Sequence, residues 1–151
     1  MALLGKPLFV GTVLALLLLG PLGRAPPADA HAAAFRVIVH PKNPLRDLDR
    51  AELARIFLKK VTRWPDDTPA SPVDLRADAE ARREFSESVL GRSIGAVRSY
   101  WQQAIFTGRD TPPPELDSDE AVVRFVLAHR GAVGYVSPRA ELRGAVVLVV
   151  H

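Results

Sequence analysis

The sequence predicts a single α/β domain, a small mixed sheet flanked by about four helices, and three observations carry that prediction. A capped amphipathic helix runs into an aromatic turn between Asp49 and Asp67. A second helix stops at a glycine and becomes a strand between Ser118 and Ser137. Around and between them, short β-branched runs alternate with stretches of helical spacing, which is the order of an α/β chain.

The first strand is expected at Phe35 to Val39, a β-branched run ended by His40-Pro41 and Pro44. Leu48-Asp49-Arg50-Ala51-Glu52-Leu53 then carries a complete helix start: Asp49 can cap, Glu52 can reach back to close the box, and Leu48 can staple to Leu53. Leu53, Ile56 and Phe57 recur at helical spacing, and Lys59-Lys60 favour the negative end of the dipole. Val61 to Asp67 turns the chain around Trp64-Pro65, and Pro72 to Arg76 alternates as a strand does. Ala79 to Leu90 is a second helix with Ala81, Phe85 and Val89 at intervals of four, closed by Gly91. Ser93 caps a third helix whose inner face is expected to be Ile94, Val97, Trp101 and Ile105.

Thr107 to Glu115 contains three successive prolines, which remove three amide donors and impose an extended surface path. The fourth helix starts with the box Asp117-x-x-Glu120, turns Val122, Val123, Val126 and Leu127 inward and stops near Gly131, where glycine suits a left-handed end. Ala132 to Val136 and Ala145 to Val150 are the last two strands, and Gly134 allows a close approach of backbone in them.

Residues 1–30 stand apart from this domain. Lys6 precedes an apolar run from Leu8 to Leu19, and Pro21, Gly23 and Pro26-Pro27 break the chain before Ala28-Asp29-Ala30. This is the pattern of a cleavable secretory leader with an A-x-A site, and the run falls short of the roughly 20 apolar residues of a membrane span. Cleavage after Ala30 leaves residues 31–151 as one domain, without stable membrane insertion and destined for the periplasm or the cell exterior. The absence of cysteine removes both disulfides and a lipid-bearing cysteine, so packing alone must stabilise it. The abundance of Ala, Arg, Val and Leu with few Lys points to a bacterial chain.

Twenty Lys and Arg against 17 Asp and Glu give a net charge of +3 and a pI near 9.7. The basic residues are interspersed with acidic ones along the helices, so a nucleic-acid surface is not expected. The four histidines, His31, His40, His129 and His151, lack metal-ligand spacing, and no nucleophile elbow or P-loop occurs, so neither a cofactor nor an enzyme is expected.

Leu48 to Trp64 and Phe125 to Val136 resemble the matching stretches of phosphate-binding proteins, the periplasmic solute receptors of phosphate ABC transporters. The resemblance covers most of residues 31–151 in the right order, with Arg76-Ala77-Asp78 and Phe85 between the two segments. It implies one lobe of a periplasmic-binding-protein-like fold, a small anion as ligand and a transporter or other envelope protein as partner. It also implies Arg76 and Asp78 as ligand-binding residues.

The sequence departs from the family at the binding chemistry, because Ala79-Glu80-Ala81-Arg82 stands where the family has Gly-Ser-Gly-Thr. Glu80 puts a carboxylate where a dianion is expected, and like charges about 4 Å apart repel by roughly 1 to 4 kcal/mol. Arg82 and Arg109 are candidates to offset it, although the plainer reading of Glu80 and Arg82 is as solvated first-turn residues. Two functions follow: an exported solute-binding protein that holds a small anion weakly through Arg76, Asp78, Arg82 and Arg109, or an envelope interaction module that has lost its ligand.

Overall fold

The computed structural model describes residues 34–151, so the leader and its cleavage motif lie outside the described residues. The four-stranded sheet at the centre has the order β3-β6-β1-β7, from Ser71–Pro72 (β3), Ala132–Val136 (β6), Arg36–Val39 (β1) and Val146–Val147 (β7). β3 runs parallel to β6, whereas β1 is antiparallel to both β6 and β7, with Ile38 opposite Gly134 and Val147. Two short parallel pairs complete the strands: Asp47–Leu48 (β2) with Val149–Val150 (β8), and Asp74–Leu75 (β4) with Glu115–Leu116 (β5). The mixed sheet with four helices is therefore the expected α/β architecture. The single strands expected at Pro72 to Arg76 and Ala145 to Val150 are each interrupted. Val73 bonds to Val133 between β3 and β4, and Leu148 bonds to Val37 between β7 and β8, so each half pairs with a different partner.

Helix α1, Arg50–Phe57, begins where Asp49 Oδ1 accepts from the amides of Ala51 at 2.7 Å and Glu52 at 3.3 Å. Glu52 completes no box; it pairs instead with Arg55 at 2.9 Å. Helix α3, Ile94–Phe106, is capped by Ser93 as expected. Helix α4, Asp119–Ala128, is capped by Ser118 rather than Asp117; Asp119 is bonded to the amide and hydroxyl of Ser137 and ties the helix start to the end of β6. Helix α2, Glu80–Ser88, starts at Ala79 with no side-chain cap.

Leu53, Ile56 and Phe57 of α1, Phe85 of α2, and Val122, Val123 and Val126 of α4 close on β1 and β6 as one core. At its centre the rings of Phe85 and Tyr135 stack at 4.0 Å, with Phe57 tilted against both. Val97, Trp101 and Ala104 of α3 form a separate small cluster. Ile105, expected on the inner face of α3, is instead 54% exposed, and Phe106 beside it is 92% exposed. The inner stripe of α3 runs 97, 101, 104, which turns 105 outward.

Gly131 is not the left-handed helix end that was expected: α4 stops at Ala128, and Gly131 has no positive φ. A Cβ there would lie 1.9 Å from the carbonyl oxygen of Pro69, so the position demands glycine through backbone contact rather than a left-handed turn. Its carbonyl accepts from Trp64 Nε1 and from the Ser71 amide, which fastens the aromatic turn to the sheet. Gly134 likewise admits α4 closely, since a Cβ would stand 2.6 Å from Val122 Cγ1.

Candidate functional site

The turn Arg76 to Ala79 carries the chain from the end of β4 into α2 and positions Arg76, Asp78, Glu80 and Arg82. Arg76 Nε and Asp78 Oδ1 form an ion pair at 2.9 Å, and both side chains are largely exposed. The pair therefore stands at the open end of α2, where the first amides of an α-helix have no partner within the helix. Glu80 is turned toward Arg83, at 3.8 Å, and remains in solvent.

Arg82 is not the solvated first-turn residue that its position suggests. It is 4% exposed, and Nη1 donates to Asp74 Oδ2 at 2.5 Å, with the Leu75 carbonyl and the Tyr135 hydroxyl each 3.4 Å away. Tyr135 in turn donates to Asp74 Oδ1 at 2.8 Å and accepts from the Leu75 amide. Burial pushes the Asp74 carboxyl above its ordinary range, against the pull of Arg82 and the Tyr135 hydroxyl. Burial pushes the Tyr135 hydroxyl far up as well, with the Asp74 charge adding to it. The ion pair, sealed by a phenol and stacked on Phe85, joins α2 to β4 and β6.

The physical reason lies in α2 itself. Ala81, Arg82, Phe85, Ser86 and Val89 form its buried stripe, so a guanidinium occupies a core position and requires a carboxylate opposite. Asp74 supplies it from a run in which Val73 and Leu75 are also buried. A charge inside an apolar stripe and another inside an apolar strand are the sequence signals for this pair; Tyr135, sixty residues on, carries none.

Arg82 and Asp74 line a cavity of about 180 Å³ between α2, α3 and the triple-proline loop, walled by Ile94, Val97, Trp101, Ile105 and Pro112. Arg98 and Glu115 also border it. Arg109 is elsewhere: it lines a separate depression of about 330 Å³ with Lys59, Lys60, Tyr100 and Asp110, on the other side of Trp101. Asp110 is held below the ordinary carboxylate range by the Thr111 amide and by Lys59, 3.1 Å away. Arg76 and Asp78 thus stand together at the start of α2, Arg82 lies beneath them in the core, and Arg109 borders a different depression. Among the described residues no group of three or more acidic, His or Cys side chains is arranged to hold a metal.

The sequence profile of the family described as the PBP superfamily domain matches residues 29–147. The chain belongs to that family. The fold of this PBP superfamily domain is shared with a protein from Clostridium perfringens assigned as a phosphate ABC transporter substrate-binding protein, solved with bound phosphate. That match has a TM-score of 0.62 at 20% identity, over 78% of this chain and 44% of the other. An ABC-type phosphate transport receptor from Vibrio cholerae matches at 0.60 and 20% identity, over 78% and 46%. PstS from Borrelia burgdorferi matches at 0.59 and 11% identity, over 78% and 47%. The chain therefore spans less than half the length of these structures, and at such identities the likeness is one of fold. A search of curated proteins finds no match. Among the described residues no helix is long and apolar enough to cross a membrane.

Proposed function

We propose that the protein is an exported, non-enzymatic solute-binding lobe that holds a small anion weakly at the start of α2. The observation that carries this reading is the uncapped first turn: Ala79 offers its amides no side-chain acceptor, and Arg76 stands three residues before it. Free amides and the positive end of the dipole favour an anion there, and Arg76, paired with Asp78, supplies a full charge. Glu80 opposes a dianion, but its carboxylate leans to Arg83, so the repulsion weakens binding without abolishing it. The fold shared with phosphate transport receptors makes phosphate the first anion to try.

Titration with phosphate and with sulfate, following thermal unfolding, tests the reading. Millimolar phosphate is expected to raise the unfolding midpoint, and Arg76→Ala to remove the effect; at 100 times Kd the linkage is worth about 2.7 kcal/mol. A midpoint unmoved by millimolar anions of either kind sinks it. Export is tested separately, by the mass of the protein recovered outside the cytoplasm, which should begin after Ala30.

A second reading is favoured by the surface of α3. Phe106 and Ile105 are exposed side by side at the end of that helix, on a chain whose match covers less than half of the phosphate receptors that share its fold. In this reading the lobe docks on an envelope partner, and crosslinking in intact cells that recovers only monomer counts against it.

A further inference from the structure

The cavity beneath α2 has a chemistry unlike that of the exposed first turn. Its walls, Ile94, Val97, Trp101, Ile105 and Pro112, are apolar, and its charged groups are Arg82, Asp74, Arg98 and Glu115. The guanidinium of Arg82 has two working edges. The Nη1 corner is fully used by Asp74, with the Tyr135 hydroxyl and the Leu75 carbonyl nearby. The edge made by Nε and Nη2 is not: Nε is buried with no acceptor at all, and Nη2 has only Glu115 Oε1 at 3.8 Å, beyond hydrogen-bond length. A donor buried without a partner is costly and rare enough to require an explanation. Two parallel N–H groups on one edge match the two oxygens of a carboxylate.

We propose that this cavity takes a small monocarboxylate with a compact apolar body. One oxygen accepts from Nη2 of Arg82 in the place of Glu115 Oε1, and the other from Nε, which is covered in this structure and is uncovered when the half-exposed Glu115 side chain swings into solvent; its body packs on Val97, Trp101 and Ile105. Charge supports the exchange. Asp74 already answers one side of the guanidinium, and the incoming carboxylate takes over the place of Glu115, so the charge around Arg82 is unchanged. Arg98 at the border adds attraction. The size follows from the volume: 180 Å³ corresponds to roughly six waters at liquid density, the room of a branched five-carbon acid. Phosphate is disfavoured, because the apolar walls would leave its remaining oxygens without partners. This site is separate from the open end of α2 and stands whether or not that end binds an anion.

The test uses isovalerate, its neutral amide isovaleramide, and phosphate at matched ionic strength, each titrated against the protein by calorimetry and by the thermal midpoint. Isovalerate is expected to bind saturably in the millimolar range, while isovaleramide does not. Glu115→Gln, which removes the competing carboxylate without touching the core, is expected to tighten isovalerate by roughly twofold to fivefold, the scale of one partly exposed charge pair. Arg98→Glu is expected to weaken it by a similar factor, also without loss of the fold. Isovalerate that leaves both wild type and Glu115→Gln unmoved at tens of millimolar overturns the proposal. So does isovaleramide binding as well as the acid, or isovalerate affinity indifferent to both substitutions. Arg76→Ala separates the two sites: it should abolish a phosphate response and leave the isovalerate response intact.

Discussion

Breaking the Asp74–Arg82 pair from one side leaves the other charge buried without its partner, and that sets the cost of a single substitution. Arg82→Met and Asp74→Asn are each expected to cost about 3 to 5 kcal/mol in urea unfolding. Arg82→Met combined with Asp74→Leu should recover most of that loss, because the pair's desolvation is removed together with its attraction. Gly131 is constrained by backbone: Gly131→Ala drives a methyl into the Pro69 carbonyl and should cost at least about 1 to 3 kcal/mol, the range of overpacking. Asp110 gives a pH signature. Its folded value lies below 3.8, so its contribution is present above that pH and is lost as pH falls through the folded value. The difference in unfolding free energy between wild type and Asp110→Asn, under about 1 kcal/mol at neutral pH for a partly exposed group, should therefore vanish in strong acid.

At the level of elements, the starts of α1 and α3 were readable from one capping residue each, whereas α4 is capped one residue later than its Asp117 box suggests. Asp49 and Ser93 cap as their positions require, and Val122, Val123 and Val126 keep their spacing and their burial. The strands were readable as segments but not as pairs, because the breaks at Val73 and Leu148 depend on partners distant in sequence. The candidate site divided in the same way. Arg76 and Asp78 are neighbours in sequence and meet as neighbours, whereas Arg82 reads as solvated until the stripe through Phe85 and Val89 and the distant Tyr135 show where it points. Helix α3 illustrates a further consequence of local packing. Its inner face belongs to a small cluster of Val97, Trp101 and Ala104 rather than to the main core. Amides of α3 are expected to exchange with solvent sooner than those of α4, which native-state hydrogen exchange measures directly.

At the level of the whole molecule, the topology places the two ends of the described chain in one sheet. β1 lies between β6 and β7, and β2 pairs with β8, so the first strands are completed only by residues near position 150. Deleting residues 146–151 removes β7 and β8 together and is expected to abolish cooperative unfolding rather than trim a tail. The same closure has a consequence in time. A chain emerging in order from its N-terminus can form α1 or α4 locally, but β1 has no strand to bond until residues 132–147 have been made, and pairings of such long range are slow to form. The central sheet can therefore be assembled around β1 only after residues 132–147 have joined the chain.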